Sequence, residues 1–169
     1  MPKLDLKIIP FTYKHAHVFS KLRRDIDNDS EHLLAKKDER RENAIHIIAK
    51  LIISQRRTVT FLAFDNKLDI GYVSLVFPKF TKLKGNSYLT IAVREKYRGM
   101  GIGGALMDKA ESYAKSVGVR RVELEVFGKN IKAIELYKKR GYETEGIKKE
   151  AVFNNGHFDD IVIMAKRLK

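Results

Sequence analysis

There is no cysteine in this chain of 169 residues. Its absence excludes a disulfide, a thiolate nucleophile and a thiolate-bound metal, and it suits a cytoplasmic setting. Long apolar runs are lacking too, so no segment reads as a membrane span. The first residues, Met1-Pro2-Lys3-Leu4-Asp5, hold no apolar core of a secretory signal. Metal-ligand spacing is also missing. Of the five histidines (His15, His17, His32, His46, His157), only His15 and His17 are close, and two residues apart they face different sides of a helix. All five read as surface or half-buried side chains, and no metal is expected.

Positive charge, by contrast, is abundant. Lys and Arg number 34 against 21 Asp and Glu, a formal net charge of +13. Such an excess favours polyanions: nucleic acid, the ribosome, an anionic membrane surface or a phosphorylated small molecule. A merely solubilising surface has the same composition, so charge alone does not choose among them. With 44% hydrophobic and 33% charged residues, the chain reads as globular, one domain spanning 1–169 with a substantial core.

Periodicity divides the chain into elements. Leu4 to Ile9 alternates as a strand, stopped by Pro10. Thr12 can cap a helix to about Asp27, with Ala16, Phe19, Leu22 and Ile26 on one stripe. After an ambiguous 31–37, Asp38 can cap a second helix to about Gln55, with Ala44, Ile45, Ile48, Leu51 and Ile52 as its apolar face. Thr58–Phe64 and Leu68–Phe77 form a hairpin, with Gly71 marking a bulge, and Asn86–Val93 is a third strand. A helix from Ile102 to Val117 buries Ile102, Leu106, Ala110, Tyr113 and Val117. A strand (Val119–Phe127), a helix (Asn130–Arg140) and a hairpin turning at Asn155-Gly156 complete the chain. The sum is an α+β fold: a mixed, mostly antiparallel sheet of about seven strands with about four helices, in the order β-α-α-β-β-β-α-β-α-β-β.

One stretch stands apart. Tyr97-Arg98-Gly99-Met100-Gly101-Ile102-Gly103-Gly104 spends four of the chain's 11 glycines between a strand and a helix. Glycine permits φ > 0 and close approach, and a helix start offers unpaired N–H groups, so the stretch reads as an anion cradle, most often for phosphate. The P-loop pattern is absent. Gly-x-Gly-x-x-Gly is literally present at Gly99, Gly101 and Gly104. However, Arg94 to Arg98 separates it from its strand, and Glu123 falls mid-strand rather than where a ribose would be reached.

Read as Arg98-x-x-Gly101-x-Gly103, the stretch resembles the acetyl-CoA signature of the GNAT N-acetyltransferase superfamily. Val93 to Gly103 resembles that family's strand-loop-helix. Leu124-Glu125-Val126, Asn130, Ala133, Leu136-Tyr137 and Gly141-Tyr142 resemble its second block in order and spacing. The resemblance implies a GNAT-like fold and acetyl transfer from acetyl-CoA to a primary amine, either a small molecule or a protein N-terminus. It implies a pyrophosphate on the N–H groups of Arg98, Gly99, Met100, Gly101, Ile102, Gly103 and Gly104, with Lys96, Lys129 and Lys132 adding positive potential. The pantetheine arm would lie against the backbone of Ile91, Ala92 and Val93, one of whose N–H groups would polarise the thioester carbonyl.

Asn130, Ala133 and Tyr137 share one helix face at i, i+3 and i+7. By the resemblance, Asn130 hydrogen-bonds the pantetheine amides and Tyr137 protonates the departing thiolate; the other reading of Tyr137 is a core aromatic. Glu125 resembles the strand glutamate that serves as base in the family's ribosomal-protein N-terminal acetyltransferases. It could equally be a half-exposed glutamate paired to a Lys or Arg. The strand before the glycines carries no carboxylate, so water, Asp29 or Glu31 are alternative bases. Without cysteine, an acetyl-cysteine intermediate is excluded, which leaves direct transfer in a ternary complex. Asp25, Asp27, Asp29, Glu31, Asp159 and Asp160 could meet a cationic amine or be solvated surface. A basic ribosome- or nucleic-acid-binding module without catalysis is the competing function, and a homodimer is left open.

Overall fold

The computed structural model describes residues 4–30, 33, 39, 41–53 and 57–169, with only the backbone for 51–53. Glu31, His32 and the Asp38 cap lie outside the described residues, as do the side chains of Leu51 and Ile52.

A seven-stranded sheet runs β1 (Leu6–Pro10), β2 (Thr58–Asp65), β3 (Leu68–Val76), β4 (Asn86–Val93), β5 (Arg121–Phe127), β7 (His157–Arg167), β6 (Glu143–Asn154). Among the described residues four α-helices accompany it: α1 (Ala16–Asn28), α2 (Ala44–Ile53), α3 (Ile102–Ser116) and α4 (Ile131–Lys139). Every strand pair is antiparallel except β4 with β5. The mixed α+β architecture expected from periodicity is therefore the one observed.

Strand alternation sorts the side chains between two cores. On one sheet face, Phe61, Val73, Leu75, Leu89, Val122, Leu124 and Val126 pack with Ile102, Leu106 and Ala110 of α3 and with Tyr137 of α4. On the other, Leu62, Tyr72 and Ala92 pack with Phe19, Leu22 and Ile26 of α1 and Ile47 of α2. The α1 stripe is thus as the spacing indicates. In α2 the phase differs: Ile47 is buried, whereas Ile45 is 74% exposed. A segment reading Ala-Ile-His-Ile-Ile-Ala-Lys-Leu-Ile-Ile offers several apolar stripes, so periodicity alone cannot choose one. Val117 is exposed because α3 ends at Ser116, and Val119 packs into the core in its place. Thr12 precedes a 3₁₀ turn, Tyr13–His15, rather than the α-helix itself, and its N–H donates to His15 Nδ1 (3.0 Å).

Gly71 does sit at a bulge. Ala63 pairs with Gly71 but Phe64 with Asp69, which leaves Ile70 as the extra residue. A Cβ on Gly71 would come 2.8 Å from the Ala92 carbonyl oxygen, so only glycine lets β3 lie this close to β4. At the last hairpin, Asn155 and Gly156 both have positive φ (47° and 86°), as a type I′ turn requires.

Arg94 secures the end of β4. Its Nη2 donates to Asp25 of α1 (2.9 Å) and to Asp69 of β3 (2.7 Å), and its Nε donates to the Asp69 carbonyl (2.6 Å). Asp25 is therefore occupied by structure rather than open to an amine. Replacing Arg94 with Met leaves two half-buried carboxylates without their cation. The expected cost is about 2–4 kcal/mol of unfolding free energy, read by urea denaturation.

Candidate active site

The parallel ladder between β4 and β5 is short. Asn86, Ser87 and Tyr88 pair with Arg121, Val122 and Glu123, and there it stops. Beyond Tyr88 the two strands part. Below the fork opens a cleft of about 1330 Å³, lined by β4, β5, the glycine stretch, α4 and the end of α1.

Backbone phase decides which β4 groups face the gap. The Arg94 N–H donates to the Ile70 carbonyl (2.9 Å) while Val93 stands opposite Gly71. In an antiparallel ladder this makes Val93 and Ile91 the residues whose backbone points away from β3, while Ala92 exchanges its groups with Tyr72. All three expected residues line the cleft; Ile91 and Val93 turn their backbone toward it, while the backbone of Ala92 is committed to Tyr72. The Val93 carbonyl already accepts from Arg98 Nε (3.1 Å), so Arg98 braces the loop as well as adding charge to it.

The four glycines divide into two pairs. Gly99 and Gly101 have φ of 78° and 81°, the left-handed region, and a Cβ on either would meet nothing within 4 Å. They shape the turn and leave open space above it. Gly103 and Gly104 lie within α3. A Cβ would come 3.4 Å from Leu136 Cδ2 at the first and 3.3 Å from an Arg140 nitrogen at the second, both on α4 or its C-terminal cap. This second pair therefore serves close packing of α3 against α4 as well as the cradle. The first bond of the α3 ladder is Ala105 N–H to Gly101 C=O (3.1 Å). The N–H groups of Ile102, Gly103 and Gly104 precede it and form an anion-binding helix start. Met100 is exposed and Ile102 is buried in the core, so neither lends a side chain to the cleft. Lys129 and Lys132 line it, as does Lys139, which spacing did not single out.

On α4, Asn130 is the N-cap and accepts from the Ala133 N–H through Oδ1 (3.2 Å). Asn130, Ala133 and Tyr137 all line the cleft. Tyr137 is 8% exposed, and burial, with a smaller contribution from Tyr88, pushes its phenol up to about 12. It is thus protonated at any physiological pH.

Glu125 approaches from the other side of the sheet. Val122, Leu124 and Val126 turn toward α3, so Glu123 and Glu125 turn toward the α1 face. Glu125 lines the cleft and is ion-paired to Lys148 of β6. Beside it stands Tyr88, a cleft residue that sequence reasoning passed over. Burial, then the charges of Glu125 and Glu123, push the Tyr88 phenol up to about 12, opposed by a hydrogen bond from the Glu125 backbone. Only the fork itself reveals Tyr88, since it is the last β4 residue in register with β5.

The remaining acids are dispersed. Asp159 pairs with Lys129 (2.5 Å) and Asp160 with Lys149 (2.8 Å). Asp29 is exposed at the end of α1 and does not line the cleft; Asp27 is buried and does. Among the described residues no group of three or more His, Asp or Glu could hold a metal, and no helix is long and apolar enough to cross a membrane.

This geometry has counterparts. The family model of the Acetyltransferase (GNAT) family matches residues 10–142, from the end of β1 through Tyr142. The chain belongs to the GNAT acetyltransferase family. Among curated GNAT relatives, the L-amino acid N-acetyltransferase AaaT of Escherichia coli is 38% identical over 77 residues. The match covers 45% of this chain and 48% of AaaT, so the chain spans about half that relative's length. Among solved structures, a GNAT acetyltransferase from Streptococcus pneumoniae superposes with a TM-score of 0.90 at 23% identity, covering 98% of this chain and 100% of its own. A GNAT-superfamily phosphinothricin acetyltransferase from Sinorhizobium meliloti, solved with AcCoA, superposes with a TM-score of 0.84 at 19% identity, covering 96% and 88%. At these identities the two structures show the shared GNAT fold.

Proposed function

We propose that this GNAT chain transfers an acetyl group from acetyl-CoA to a primary amine, directly, with both substrates bound in the forked cleft. The observation that carries the reading is the fork itself. It sets a glycine-lined helix start, a phenol and β4 backbone turned away from β3 on one side, and a carboxylate on the other. A molecule with an anionic end and an extended amide arm fits the first side. The left-handed turn and the α3 N–H groups take the anion, with Arg98, Lys129 and Lys132 near it. The outward backbone of Ile91 and Val93 pairs with the arm, and one of those N–H groups polarises the thioester carbonyl. The S. meliloti neighbour is a GNAT protein solved with AcCoA, which supports the ligand assignment.

Acetyl-CoA supplies an activated thioester, and the chain's residues manage the protons. Glu125 takes the proton that the ammonium must lose before its nitrogen can attack. Tyr137 donates to the departing sulfur. One C–S bond breaks and one C–N bond forms; the nitrogen loses two protons between ammonium and amide, the first to Glu125 and on to solvent, the second as the tetrahedral intermediate collapses, while one proton joins the thiolate. With Tyr137 raised to about 12 and a thiol near 8.5, outright transfer from the phenol is uphill by about 3.5 units. Tyr137 therefore acts first as a hydrogen-bond donor to the developing charge. Exposed Asp29 is no longer an attractive base, while Glu125, held in the cleft by Lys148, is.

Glu125→Gln tests the base. The expected result is a loss of about 10²-fold in kcat/KM at neutral pH, recovered at high pH where the amine deprotonates unaided. Wild-type rates at neutral pH would transfer the role to water. No feature of the described surface favours a nucleic-acid module specifically, and the basic residues nearest the cleft suit a phosphorylated ligand.

A further inference from the structure

We infer that the acceptor is a small amine that also bears a carboxylate, and that Arg23 is the residue that holds the carboxylate. This deepens the acetyltransferase reading and rests on it.

The α1 face of the cleft is where the acceptor must enter, because the glycine stretch and α4 occupy the other. Arg23, Ile26, Asp27 and Ser30 line it at i, i+3, i+4 and i+7, one helical stripe. The Arg23 side chain is only 22% exposed. Its Nη1 donates to Glu42 Oε2 (2.7 Å), and its guanidinium carbon lies 5.5 Å from the centroid of the Phe19 ring. Those contacts fix the group in place. Its Nε is buried and has no hydrogen-bond partner among the described residues. A buried charged donor left open is costly to the free protein, and an incoming oxygen relieves that cost.

The charges around it agree. Glu42 is not Arg23's alone, since Lys50 pairs with its other oxygen and Arg24 Nη1 donates to its backbone carbonyl (2.8 Å). Among the described residues, two side-chain cations, Arg23 and Lys50, thus share this one carboxylate. Asp27, one turn along α1, is already engaged with a partner of its own. A planar guanidinium matches a carboxylate's geometry and repels an ammonium. Glu125 and Tyr88 lie elsewhere on the same cleft wall and suit the amine. The wall is therefore bipolar, and an amino acid has the matching polarity, whereas a polyamine does not.

The test uses the purified full chain with acetyl-CoA and follows release of CoA thiol. The acceptors are free amino acids, the same amino acids as C-terminal amides, and spermidine. Because a site built around a hydrogen-bonding group rejects analogues that lack it, kcat/KM should favour at least one free acid over its amide by roughly tenfold or more, mainly through KM. Arg23→Gln should bring that ratio to about one. Arg23→Lys, which keeps the charge but not the Nε donor, should fall between. Acetyl-CoA affinity, titrated separately, reports that the variants are folded. Amides or spermidine serving as well as the acids, no amino acid accepted at all, or a ratio that survives in Arg23→Gln would each overturn the proposal. Loss of acetyl-CoA binding by the wild type would sink the acetyltransferase reading itself.

Discussion

Tyr137→Phe is expected to lower kcat by about 10²-fold or more while acetyl-CoA affinity stays within a few-fold. The substitution removes one oxygen and keeps the ring that packs in the core against Tyr142, 6.0 Å away between centroids. Among the described residues no hydrogen bond is made to the Tyr137 hydroxyl, so its loss should cost little stability. The pH profile separates chemistry from packing. With the phenol at about 12, Tyr137 contributes no alkaline limb below about pH 11, and the acid limb belongs to the base and the amine. Full activity in the Phe variant would return Tyr137 to a purely structural role. Stopped-flow rates alongside acetyl-CoA titration make the comparison.

Gly101→Val is expected to abolish measurable acetyl-CoA binding, a loss of about 10²-fold or more, in a chain that still folds. The argument joins strain to geometry. At φ 81° a β-branched residue pays about 1–2 kcal/mol or more. The exposed loop escapes that strain by changing its turn, which redirects the N–H groups at the α3 start. Folding survives because the added side chain meets no protein atom within 4 Å at its Cβ. Gly103→Ala is the informative contrast: its Cβ faces Leu136 Cδ2 at 3.4 Å, an ordinary contact, so binding should fall only slightly. Circular dichroism and calorimetric titration of both variants check the pair. Equal losses at the two positions would mean that packing of α3 on α4, rather than the left-handed turn, makes the cradle.

Much of this was legible in the chain because its signals are local. Alternation in β2 to β5, the Asn155-Gly156 turn and the glycine-to-helix junction each act within a few residues, and the structure has them. Asn130 and Tyr137 were legible for the same reason, one helix face at fixed spacing. The misreadings have physical causes. In α2, a nearly all-apolar segment left the buried face undetermined, and Ile47 rather than Ile45 took it. Among the glycines, sequence could not separate those that need positive φ from those that admit a neighbouring helix. Ala92 lines the cleft, but its backbone is committed to Tyr72 of β3, and that ladder phase is set by a strand in another part of the chain. Tyr88 and Arg23 were missed altogether. Neither belongs to a motif; each reaches the cleft only because β4 and β5 part at Tyr88 and because the Arg23 stripe of α1 lines the opening.

Calorimetric titration of the purified chain with acetyl-CoA, followed by thermal unfolding with and without it, tests the central claim most directly. Saturable one-to-one binding is expected, with about 2.7 kcal/mol of stabilisation at 100 times the dissociation constant. NAD should give none. Absence of any response to acetyl-CoA, with stabilisation by RNA instead, would contradict the account.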